Sequence, residues 1–127
     1  MSALVLDAGA FLAAERGDRA TIAMLQVAQR AGLELRSTAA VVAQVWRDAA
    51  GRQANLARLL KAVDVKAVDE RLGRDAGVLL GRAHRDDVVD ATVVTVSAIG
   101  DRILTSDPGD LGPLVAAAGR SVLVVRC

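Results

Sequence analysis

Three short stretches of this sequence set carboxylates against apolar surroundings. Leu4-Val5-Leu6-Asp7-Ala8 reads as a buried strand that ends in an acid. Arg102-Ile103-Leu104-Thr105-Ser106-Asp107 has the same grammar near the C-terminus, and Asp86-Asp87-Val88-Val89-Asp90-Ala91 is a helix start crowded with acids. Each acid has an ordinary structural use. Asp107 before Pro108 suits a helix N-cap, Asp7 can cap the helix that follows it, and Asp86 and Asp87 stand in a first turn where the helix dipole favours carboxylates. Asp90 fits that explanation least. It lies three residues after Asp87 and four after Asp86, on one helical face, where like charges repel. The residues that follow it, Val93, Val94 and Val96, are apolar.

If Asp7, Asp90 and Asp107 meet in one pocket, their charge is costly unless a hard cation neutralises it. The chain has one His (His84) and one Cys (Cys127, the last residue), so a Cys/His metal cluster is not available. Oxygen-only ligands point to Mg²⁺ or Mn²⁺. Such a centre suits hydrolytic cleavage of a phosphodiester, with metal-activated water as nucleophile and the metal stabilising charge on the phosphate.

The elements that must position these acids follow from periodicity. A helix is expected over 10–15, another from the Asp18 cap to about Arg30, a short strand at Leu33 to Leu35, and a helix from Ser37 or Thr38 to about Ala50. Leu56, Leu59, Leu60 and Val63 mark an amphipathic helix over 52–62. The alternation from Val63 to Val68 suits an edge strand. Asp69 caps a helix to about Arg82, and the acid-rich turn opens one to about Ile99. Gly100-Asp101 reads as a turn, Ile103 to Thr105 as a buried strand, and Pro108 as a first helical residue. Val122 to Val125 closes the chain. Alternating strands and helices predict a three-layer α/β fold, a single domain over 1–127, with a mostly parallel sheet of about five strands. Ligand sites in such sheets lie beyond the carboxyl ends of the strands, where Asp7 and Asp107 fall.

Composition bounds the function. The chain has 127 residues, 53% hydrophobic, with one Phe, one Trp and no Tyr, so the core is aliphatic. The N-terminus lacks a basic region and Asp7 breaks its apolar run, and no apolar segment is long enough for a membrane span. A cytoplasmic protein without a membrane partner is expected. A net charge of +1 advertises no global field for nucleic acid, so any such contact rests on local arginines, with Arg47, Arg52 and Arg85 as candidates.

At these acids the chain resembles the PIN domain, and within it the VapC-type toxin ribonucleases of toxin–antitoxin systems. "LVLDAGAF", "STAAVVAQVWRD", "DDVVDATVV" and "ILTSDPGDL" resemble the four motifs of that family in order. The resemblance implies that Asp7, Asp90 and Asp107 are catalytic and hold the metal. It also makes Thr105 and Ser106 the small hydroxyl positions of the fourth motif and Asp110 a further acid. Asp87, on the Asp90 face, is a candidate to bind the metal weakly or to steady the residues that do. The second motif carries a glutamate in the family and Gln44 here, which removes one charge from the pocket; Asp48, four residues on, is a possible substitute. The implied activity is a Mg²⁺- or Mn²⁺-dependent endoribonuclease acting as a toxin. Its implied partners are an RNA substrate, a cognate antitoxin and a second copy in a homodimer, with Phe11, Met24 and Leu25 as candidate partner contacts that core packing explains better. The alternative is a degenerate PIN domain that binds RNA or a protein without cleaving.

Other acid-bearing α/β folds fit less well. A receiver domain wants an acidic pair after its first strand and a lysine near its last strands, but no lysine lies beyond Lys66. A haloacid-dehalogenase-type phosphatase wants a second acid two residues after the first, where Gly9 stands. No glycine-rich phosphate loop is present. The single imidazole, His84, lies in a charged segment between Arg82 and Arg85, which disfavours a Ser or Cys hydrolase.

Overall fold

A computed structural model describes residues 2–47 and 50–127. Twelve elements follow in order: β1 (Ala3–Leu6), α1 (Ala8–Glu15), α2 (Arg19–Arg30), β2 (Glu34–Thr38), α3 (Ala39–Val45), α4 (Ala54–Lys61), β3 (Asp64–Lys66), α5 (Glu70–Ala83), α6 (Val88–Thr95), β4 (Arg102–Thr105), α7 (Pro108–Ala118) and β5 (Leu123–Arg126). The fold is α/β, with a five-stranded sheet in the order β3-β2-β1-β4-β5. Every pairing is parallel, rather than mostly so.

Chirality distributes the helices. Right-handed crossovers from β1 to β2 to β3 put α1 to α4 on one face, and the return to β4 and on to β5 puts α5, α6 and α7 on the other. The central strand β1 is covered on both faces, and all four of its residues are buried. Phe11, Leu56, Leu111, Leu114, Val93 and Val94 pack against it and its neighbours in one aliphatic core. Phe11 and Leu25 are core residues, while Met24 is half-buried at the core's margin.

Caps follow the sequence closely. Asp18 accepts from Thr21 N at 3.1 Å, Thr38 from Val41 N at 3.3 Å and Asp69 from Leu72 N at 2.8 Å. Two helices are shorter than their periodicity suggests. The one expected to reach Ala50 stops at Val45, because the Gln53 side chain competes for its end: Gln53 Nε2 donates to Val45 O at 2.9 Å and Gln53 Oε1 accepts from Arg47 N at 2.7 Å. The one expected to reach Ile99 stops at Thr95. There the Arg120 guanidinium donates to Ser97 O at 2.7 Å, Val94 O at 2.9 Å and Thr95 O at 3.3 Å, taking up carbonyls that a further turn would have used. Strand β2 runs on to Thr38, beyond the alternation of Leu33 to Leu35, because its pairing with β3 continues through Ser37 and Thr38. Among the described residues, no helix is long and apolar enough to cross a membrane.

The two strands at the centre, β1 and β4, lead in opposite directions. The chain leaves β1 for β2 on one side and β4 for β5 on the other. Their carboxyl ends therefore border the crevice where strand order reverses, the place at which such sheets bind ligands.

Candidate functional site

Asp7 and Asp107 stand on the two sides of that crevice. Asp7 follows β1 and caps α1, its Oδ1 accepting from Ala8 N at 2.8 Å. Its Oδ2 accepts from the Thr105 hydroxyl at 2.8 Å, and the residue is only 8% exposed. Thr105 Oγ1 in turn accepts from Asp107 N at 3.0 Å. One buried hydroxyl thus ties the exits of β1 and β4 together and sets the orientation of the Asp7 carboxylate.

Asp107 does not do what its sequence position suggests. It occupies the N-cap position of α7 with Pro108 next, yet its side chain makes no capping hydrogen bond. Its φ of −135° and ψ of 71° turn it instead toward Asp110, one turn on. The carboxyl of Asp110 is held above its ordinary range, first by a hydrogen bond with Asp107 and then by its charge, with Arg85 opposing. Asp87 does serve as a cap: its Oδ1 accepts from Asp90 N at 3.0 Å. Asp86, Asp87, Asp90, Asp110, Arg85 and Leu114 line a cleft of 190 Å³.

Asp90 is half-buried in the first turn of α6. Its carboxyl is pushed up to about 7, first by burial and then by the charges of Asp7, Asp87, Asp110 and Asp107. Among the described residues, no cation and no hydrogen-bond donor offsets these. The sequence-expected acids Asp7, Asp90 and Asp107 therefore share one field, and Asp87 and Asp110 belong to it.

Two close contacts hold the frame. Ser106 lies against the first turn of α1 so tightly that a Cβ on Gly9 would come within 2.6 Å of the Ser106 Cβ, so residue 9 carries no side chain. Behind Asp90, Thr38 Oγ1 and Thr92 Oγ1 are 3.0 Å apart, and Thr92 Oγ1 donates to Val89 O at 2.7 Å. With the Thr92 proton so committed, Thr38 donates to Thr92, which locks the acid-bearing turn of α6 to the end of β2. Sequence reasoning missed this pair, although a threonine inside the apolar run Ala91 to Val94 was the available signal.

Gln44 lies elsewhere. It is exposed on α3 and lines a cleft of 460 Å³ with Leu12, Glu15, Val45, Arg47, Ala50, Arg52 and Gln53, which none of the acids of the crevice lines. The candidate substitute Asp48 lies outside the described residues.

The donors fit a hard divalent cation in chemistry but do not form a closed cage. Among the described residues, no three acid, imidazole or thiol side chains are gathered so as to hold one ion. The repulsion felt by Asp90 acts over longer distances than ligation does, so the two observations are compatible. Mg²⁺ keeps several waters and takes one or two protein carboxylates, for which Asp7 and Asp90 suffice. A bound cation would also remove the repulsion that raises Asp90.

Compared with protein-family models and with curated proteins, the chain matches none.

Proposed function

We propose that the protein is a Mg²⁺- or Mn²⁺-dependent endoribonuclease of the PIN type. Asp7 and Asp90 would hold the ion, with Asp107 close by in the same acidic field. The observation that carries this is Asp90: a carboxyl pushed up to about 7 by burial and four neighbouring acids, beside the crevice where strand order reverses. Acids forced together without a counter-charge are unfavourable for the fold alone, and a cation relieves them.

When bound, the ion supplies an activated water and neutralises charge on the scissile phosphate. The chain's own groups do the positioning. Thr105 aims Asp7, the Thr38–Thr92 pair fixes the turn that carries Asp90, and Arg85 on the rim of the acid cleft offers a planar donor to an approaching phosphate. Ser106, exposed between Thr105 and Asp107, stands where a substrate oxygen could accept its proton. The four motifs in order, in a chain of this length, support a role as the toxin of a toxin–antitoxin pair. That role brings with it a cytoplasmic location, a cognate antitoxin and a homodimer.

A second reading has its own support. Gln44 in place of a glutamate, exposed in a separate cleft, suits a PIN domain that binds RNA or a protein without cutting. Incubating the purified protein with total RNA and Mg²⁺ or Mn²⁺ separates the two. Cleavage lost in Asp7→Asn and in Asp90→Asn is expected; cleavage retained in both variants overturns the nuclease assignment.

A further inference from the structure

Away from the acid crevice, a second surface carries the opposite charge and the chain's only indole. From Arg47 to Lys61 the sequence contains Arg47, Arg52, Arg58 and Lys61 against a single acid, Asp48. Trp46 leaves the end of α3 in an extended conformation, with φ −82° and ψ 127°, and remains 36% exposed. With Val42, Ala57, Leu60 and Lys61 it walls an open, largely apolar cleft of 410 Å³ between α3 and α4.

This platform is braced. The Gln53 amide holds both Val45 O and Arg47 N, and its Nε2 also donates to Glu15 Oε2 at 2.8 Å. The Arg47 guanidinium folds over the helix end, donating to Ala43 O at 2.9 Å and to the main-chain Trp46 O at 2.6 Å, which fixes its charge at the residue that carries the indole. Lys61 brings a cation to the rim of the Trp46 cleft itself. A rigid aromatic face flanked by cations needs little ordering on binding.

Phosphates are repelled by the acid crevice until a metal fills it, so an RNA substrate needs affinity from elsewhere on the molecule. Stacking on an aromatic face and contact of phosphates with nearby cations is how single strands are held without sequence preference. We propose that the α3–α4 surface anchors single-stranded RNA, with a base stacked on Trp46 in the cleft and the flanking phosphates on Arg47 and Lys61. The proposal rests on the nuclease reading only in taking RNA as the substrate. Helix α1 links the two places: Asp7 caps its start, and Glu15 at its end accepts from Gln53. At 1.5 Å per residue that is roughly 12 Å, within reach of a few nucleotides.

Because the chain has one Trp and no Tyr, its intrinsic fluorescence reports on Trp46 alone. The test titrates the full chain with single-stranded poly(A) RNA in EDTA, where cleavage is off, using poly-glutamate as the acidic-peptide control. The expected result is saturable quenching by RNA that weakens with salt. Trp46→Ala, followed by electrophoretic shift, should weaken binding about five-fold or more, and Trp46→Phe should retain most of it. Lys61→Gln should reduce the slope of log affinity against log salt by about 0.7, a change that a purely structural role does not produce. Tighter quenching by poly-glutamate assigns the surface to an acidic peptide, and emission that shifts with protein concentration alone assigns it to a second copy; either overturns the proposal. RNA cleavage with wild-type binding in Trp46→Ala overturns the anchor and leaves the nuclease standing. Loss of binding in that variant, with no cleavage under any metal, does the reverse.

Discussion

Asp90 and Asp101 are the same residue type in one small fold, and the protein treats them in opposite ways. Asp101, before the amino end of β4, is 3% exposed. Its Oδ1 accepts from Ala3 N at 2.8 Å, and its Oδ2 accepts from Ala98 N at 2.7 Å and from Arg36 at 3.1 Å. Arg36 also donates to Val96 O at 2.9 Å and pairs with Glu34 at 3.1 Å. Each charge there has an opposite partner, although Arg36 Nε is buried without a hydrogen-bond acceptor. Asp90, at the carboxyl edge of the same sheet, has burial and four like charges against it. A carboxylate satisfied from within serves the fold, whereas one left to repel its neighbours is poised for something that arrives from outside.

That contrast can be broken at either end. The largest effect is expected at the satisfied end. Asp101→Ala strips a mostly buried guanidinium of the buried one of its two carboxylate partners and should cost about 3 kcal/mol or more in urea denaturation; a loss below about 1 kcal/mol would mean that the network does not hold the fold. Next comes the hydroxyl beneath the site. Thr105→Val leaves Asp7 Oδ2 and Asp107 N without their partner and should cost about 2 kcal/mol. It should also lower the affinity for Mg²⁺ or Mn²⁺ through a misaimed Asp7, as read by calorimetry.

Asp90 itself should show the opposite sign. Its folded pKa of about 7 lies above its unfolded value, so the native state holds the extra proton between about pH 4 and 7. Its contribution is therefore harmless below that window, and stability falls as pH rises through it. Asp90→Asn should flatten that slope and stabilise the protein at pH 8 by on the order of 1 kcal/mol, an amount kept small by partial solvent screening. A saturating divalent cation should produce the same flattening in the wild type and none in the variant. The smallest effect is expected at Gln44. Placed in a different cleft from the acids, Gln44→Glu should change metal affinity less than about two-fold; a clear tightening would bring its side chain back to the metal.

The same contrast shows what a sequence can and cannot disclose. The parallel α/β order was legible, because strand and helix periods alternate cleanly and Asp18, Asp69 and Thr38 cap where they stand. Asp90 was legible because, one turn beyond Asp86 and Asp87 and followed by valines, it fits no local use, although Asp86 and Asp87 stand before α6 and Asp87 caps it. Asp101 was passed over as a turn residue, since nothing local says that Arg36, 65 positions away, will reach it. The end of α3 was misjudged for a similar reason: Gln53, eight residues beyond Val45, closes the helix through its side chain. Asp107 was the reverse case: its position promised a cap, but its carboxyl engages Asp110, one turn further along the same helix.

The contact of Gly9 with Ser106 carries a consequence for how this chain can vary. Those two positions share one small volume across the gap between α1 and the exit of β4, and that gap sets the spacing of Asp7 from Asp107. Room at one position is bulk denied to the other. An alanine at 9 requires the loss of the side chain at 106, and a larger residue at 106 presses on the first turn of α1. Substitutions there are therefore tolerated as a matched pair or not at all, and a change in either is a change in the width of the crevice.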